Sequence, residues 1–152
     1  MKLSATDYNV LSYLLKENKI PYELLLEWAY GCYTDQGVDE FVEKIALSYD
    51  LAEVIELISN TYQVYGRPSD EFLIGEAAHR YEAGELSLHS AIDIVLYRLD
   101  VELPEAESQE LYIADDYFGW HKTPEKMAVK HAEPVFNRYL AAYRMQVGKF
   151  CV

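Results

Sequence analysis

Positive charge is scarce in this chain. Thirteen Lys and Arg stand against 26 Asp and Glu in 152 residues, for a formal net charge of −13. Proteins that bind naked nucleic acid draw affinity from clustered Lys and Arg that release counterions, so this composition argues against a nucleic-acid partner. An anionic membrane surface is disfavoured for the same reason. A basic protein partner is favoured instead, because charge of this size steers association. The same acidity also serves simply to keep a protein in solution.

Cysteine is equally scarce. Cys32 and Cys151 are too few for a disulfide framework and read as reduced thiols, the first buried and the second at a frayed end. No apolar signal core follows Met1-Lys2-Leu3-Ser4, and no apolar run approaches the ~20 residues of a membrane-spanning helix. The expectation is a soluble, cytoplasmic protein. The seven glycines are scattered, so no phosphate-cradling loop forms. There is no nucleophile elbow, no paired-cysteine motif and no zinc-binding helix. Strand periodicity is missing too: Val101-Glu102-Leu103 is the nearest candidate and is too short.

What remains is helical spacing almost everywhere. Apolar residues make up 51% of the chain, enough to build a core. Ser4 with Asp7 makes a capping-box start for a helix through Tyr8, Leu11 and Leu15. Pro21 opens a second helix through Leu25, Trp28 and Cys32. Val38, Phe41, Ile45 and Leu47 line a third. Asp50 and Glu53 start a fourth, through Val54, Ile58 and Tyr62. Gly66 and Pro68 mark a stop and restart. Ser69 starts a fifth, Ser87 caps a sixth and Pro104 opens a seventh through Leu111, Ala114 and Phe118. The last stretch runs from Pro124, and Pro134 is expected to kink or split it. The expected fold is all-α, an irregular bundle or short stack of antiparallel helical hairpins with about seven to nine helices. It is read as one domain over residues 1–152, with residues 119–152 a basic tail packing on the body. A faint internal echo pairs Leu25, Ala29, Tyr33 and Gly37 with Leu73, Ala77, Tyr81 and Gly84.

Charge is unevenly spread. Residues 1–65 carry a net −7, residues 66–118 a net −10 and residues 119–152 a net +4. The basic tail can pack against the acidic body, or the acidic middle can be left as a binding face. The fourteen tyrosines are a second oddity, and Tyr30, Tyr33, Tyr49, Tyr62, Tyr65, Tyr81, Tyr97, Tyr112 and Tyr117 fall near helix ends or on polar-flanked faces. Tyrosine supplies contact area at low entropic cost, which suits interfaces; a core ring with its hydroxyl reaching water is the plainer use. Trp28 belongs to an apolar stripe. Trp120 is either an anchor for the tail or a partner contact.

Two clusters bear on metal chemistry. Glu76 and His79 share a helical face, but a carboxylate-bridged site needs a second copy that nothing supplies. Asp115, Asp116 and His121 form the set a small metal-dependent hydrolase or metal-binding protein would use. They serve equally as a helix end and a loop histidine.

Two stretches, Glu23-Leu24-Leu25-Leu26-Glu27-Trp28-Ala29-Tyr30-Gly31 and Leu111-Tyr112-Ile113-Ala114-Asp115-Asp116-Tyr117, resemble a set of small, acidic, all-helical bacterial proteins of unassigned function, some of them suspected immunity proteins of toxin systems. The resemblance covers residues 20–118. It maps no catalytic signature onto these positions and implies a stoichiometric binder that masks a toxin. The leading expectation is therefore a non-enzymatic binding module that needs no cofactor. Asp100, Glu102, Glu105, Glu107, Glu110, Asp115 and Asp116 are expected to meet Lys and Arg of a cationic partner, with Tyr112 and Tyr117 as anchors.

Overall fold

A computed structural model describes residues 3–61 and 68–150. Tyr62, Tyr65, Gly66 and Cys151 lie outside the described residues. The fold is all-α: among the described residues there is no strand, only an isolated bridge between Thr34 and Gly37. None of their helices is long and apolar enough to cross a membrane. Contacts divide the chain into two compact units, Met1–Pro68 with Gln146–Val152, and Ser69–Met145. The basic segment from residue 119 is thereby shared between them.

The first unit holds α1 (Ala5–Lys16), α2 (Tyr22–Gly31), α3 (Glu40–Ala46) and α4 (Leu51–Thr61). Their starts follow local chemistry. Ser4 and Asp7 close a reciprocal capping box on α1. Asp39 caps α3 by accepting from the Phe41 amide at 3.0 Å, and Asp50 accepts from the Glu53 amide at 2.8 Å. The apolar faces of these helices bury Leu11, Leu14, Leu15, Leu25, Phe41 and Ile45 completely or nearly so. Trp28 packs edge-on against Phe150 at 5.0 Å, so the chain end closes this core. Two expectations shift. Leu47 follows the end of α3 and is exposed, and Cys32 is only half-buried.

The second unit holds α5 (Asp70–Glu82), α6 (Leu88–Asp93), a π-turn (Ile94–Arg98), α7 (Glu105–Trp120) and α8 (Pro124–Gly148) through Met145. Ser69 and Ser87 cap α5 and α6 through the amides of Phe72 and Ser90. Ile74, Ala78, Ile92, Leu111, Ala132 and Phe136 are among the residues of its core. Gly84, like Gly37 in the first unit, has φ in the left-handed region, +80° and +102° respectively. Gly84 directly follows the end of α5, whereas Gly37 closes the Thr34–Gly37 turn six residues after α2, so the two glycines paired by the sequence echo share a backbone conformation but not a place in the fold.

Pro134 lies inside α8, which continues as one helix. Proline removes a single amide donor, here the partner of the Lys130 carbonyl. Both Lys130 and Pro134 face solvent, where water replaces that bond.

Gly75 fixes how closely α5 and α8 approach. A methyl group there would lie 2.6 Å from the Tyr139 carbonyl oxygen and 2.6 Å from Tyr143 Cβ. Backbone cannot yield as a flexible side chain does. Gly75→Ala is therefore expected to destabilise the protein by about 1–3 kcal/mol in urea unfolding. Gly119→Ala, with open space around it, should be neutral or stabilising by about 0.5 kcal/mol. Equal effects of the two would contradict the close packing.

In the first unit Asp7 is 5% exposed yet charged. Burial pushes its carboxyl pKa up. Hydrogen bonds from Lys149 (Nζ to Oδ1, 2.8 Å) and from the amide and hydroxyl of Ser4 outweigh this and hold it below the usual 3.8. A carboxyl whose folded pKa is depressed stabilises above its unfolded pKa, and the contribution is lost as pH falls through the folded one. Lys149→Met should raise the folded pKa of Asp7 and move the onset of acid unfolding to higher pH in a circular-dichroism titration. An unmoved onset would show that the lysine does no such work.

Candidate functional site

Helical rotation of about 100° per residue sorts the side chains of α7 into strips. Leu111 and Ala114 face the core, with Phe118 beside them. Glu107 and Glu110 turn to α8. Arg138 is ion-paired with Glu107, its Nε donating to Oε2 at 3.2 Å, and its guanidinium lies 4.3 Å over the Tyr139 ring. His131 Nδ1 lies 2.7 Å from Glu110 Oε2. On the opposite flank Asp115 accepts from the Tyr97 hydroxyl at 3.0 Å, and His89 Nε2 lies 3.6 Å from its other oxygen. Burial, and then this bond to Asp115, push the Tyr97 phenol above 10.

The outward strip carries Glu105, Gln109, Tyr112, Ile113, Asp116 and Trp120. Gln109 donates to Glu105 at 3.3 Å, and Trp120 Nε1 donates to Asp116 at 3.3 Å. The apolar members stay open to solvent: Tyr112 is 50% exposed, Ile113 43% and Trp120 66%.

The neighbouring π-turn completes this face. Leu99 N–H donates to the Ile94 carbonyl, five residues back, at 3.0 Å, and an Asp93–Arg98 ion pair of 2.7 Å spans the turn. The wider turn presents Tyr97, 57% exposed, with its ring 6.3 Å from that of Tyr112. At the other end of α7 the Tyr117 ring lies 5.6 Å from Trp120 and 5.9 Å from His131. His89 stacks on Phe118 at 4.3 Å beside a recess of about 620 Å³ lined also by Thr123, Pro124 and Lys126.

The nine residues expected to bind a partner therefore separate. Glu105, Tyr112 and Asp116 share the outward strip. Tyr117 is half-buried at its edge. Asp100, with φ of +51°, and Glu102, whose amide donates to Asp70 at 3.1 Å, lie in the exposed connection before α7. Glu107 and Glu110 are met by Arg138 and His131 of α8, and Asp115 is held by Tyr97 and His89. The three residues of the metal reading do not converge. Asp115 and Asp116 point to different neighbours, and His121 Nδ1 accepts from the Thr123 amide at 3.0 Å. Among the described residues no three His, Cys, Asp or Glu are grouped to hold a metal ion.

Tyr97 and Ile113 stand outside the nine expected contacts, and Trp120, for which the sequence leaves tail anchor and partner contact both open, is exposed. A helical-wheel reading finds Ile113 and Trp120, because both fall opposite Leu111 and Ala114. Tyr97 depends on the π-turn, which leaves no mark in the sequence. Of the other tyrosines singled out, Tyr30, Tyr33 and Tyr49 are exposed in the first unit and Tyr81 is half-buried in the second. Tyr30 is committed locally, its hydroxyl donating to the Ala46 carbonyl at 3.0 Å and its ring stacking on Tyr33.

No family model, no curated protein and no solved structure matches this chain.

Proposed function

We propose that this chain is a non-enzymatic protein-binding module, an immunity or inhibitor protein of the bacterial cytosol that occludes a cationic toxin or effector. The observation that carries this reading is the set of four large, solvent-exposed side chains, Tyr97, Tyr112, Ile113 and Trp120, grouped on α7 and its π-turn beside Glu105 and Asp116. An isolated exposed apolar residue is ordinary; a contiguous group with a polar rim is the composition of an interface. Aromatic side chains at its centre supply desolvated anchors. The exposed carboxylates of this rim, which meet no cationic group among the described residues, and the net −13 supply attraction at a distance to a basic surface. The resemblance to small acidic immunity proteins points the same way. Because α8 already meets Glu107 and Glu110, the reading rests on the aromatic strip first and on Glu102, Glu105 and Asp116 second.

The test uses the immobilised full-length chain and an extract of its native cells. The expected result is a basic protein retained by the wild type and lost by Trp120→Ala. With that protein purified, Trp120→Ala should weaken binding by about thirtyfold or more. Asp116→Lys should slow association and flatten its salt dependence. A partner held equally well by both variants would remove α7 from the interface.

A further inference from the structure

α5 and α8 leave a cavity of about 310 Å³ between them, lined by Tyr81, Glu82, Glu133, Phe136, Asn137 and Leu140. It lies on a different flank of α8 from the one that meets α7. Glu133, Asn137 and Leu140 follow one another at helical spacing on one strip, whereas His131 and Arg138 stand on another. The cavity is thus independent of the surface proposed above.

Two of its lining residues are aromatic and pack on each other. The Tyr81 and Phe136 rings are 6.1 Å apart and inclined at 53°. Its charge is unbalanced. Glu82 is ion-paired with Arg144, while Glu133 has no hydrogen bond or ion pair among the described residues. One negative charge is left over beside Tyr81. The field is felt by Tyr81: burial first, then the charges of Glu133 and Glu125, push its phenol above 10, so it stays a neutral hydroxyl.

These groups select the occupant. A hard divalent ion takes about six or more oxygen ligands, and one unpaired carboxylate, a phenol and an amide fall short of that. An anion is repelled. An ammonium group has three N–H donors, and Glu133, the Tyr81 hydroxyl and the Asn137 amide oxygen offer three acceptors. The Tyr81 ring can attract a cation, and Tyr81 and Leu140 offer an alkyl stem apolar contact. We propose that the α5–α8 cavity binds a primary alkylammonium, the ammonium at Glu133 and the chain against Tyr81 and Leu140.

The test is a titration of the full-length protein with n-butylammonium, followed by amide NMR at constant ionic strength. The expected result is saturable shifts confined to residues 78–82 and 133–140, with a dissociation constant on the order of 1 mM. 1-Butanol, the uncharged isostere, and potassium ion should not reproduce them. Glu133→Gln should weaken binding by about tenfold, whereas Glu43→Gln, an equal change of net charge on an exposed helix of the first unit, should leave it unchanged. The proposal is overturned by any of four results: no saturable shift, equal shifts with 1-butanol or potassium, full affinity in Glu133→Gln, or equal loss in both variants. Both glutamates are exposed, so each variant should fold.

Discussion

Arg138 and His131 take up the carboxylates of Glu107 and Glu110, and Arg144 takes up that of Glu82. One basic helix therefore determines which acids of the second unit remain available. Such partly exposed pairs add little to stability, on the order of 0–1 kcal/mol each. Their consequence is orientation. With two of its carboxylates held toward α8, α7 presents Glu105, Tyr112, Ile113, Asp116 and Trp120 outward. Gly75 makes room for α8, because only a residue without Cβ fits against the Tyr139 carbonyl.

The π-turn adds the second half of the same surface. It places Tyr97 over the flank of α7, where Asp115 holds the hydroxyl and leaves the ring exposed beside Tyr112. Asp115 thus positions an exposed aromatic ring. Wide turns of this kind interrupt regular helices frequently at functional sites. The resulting face joins apolar anchors to a rim of carboxylates, with a histidine on either side.

Much of the fold is legible in the sequence because its signals are local. Ser4 with Asp7, Asp50 with Glu53, Ser69 and Ser87 each satisfy a helix-start amide three residues away, and the structure uses all of them. The apolar period places Leu11, Leu25, Phe41 and Leu111 in cores for the same reason. The candidate surface is less legible. Glu107 meets a residue 31 positions on and Glu110 one 21 positions on, and nothing local announces either pair. Sequence proximity groups seven carboxylates as one face, whereas helical rotation and α8 divide them. Pro134 misleads in the opposite direction, since a missing donor matters little where water stands in for it.

Hydrogen exchange of the protein, alone and saturated with the basic protein proposed as its partner, tests the central claim most directly. The account predicts slowed amide exchange across residues 94–98 and the outward strip of α7, with α1–α4 unchanged. Protection confined to the first unit, or to α5, would contradict it.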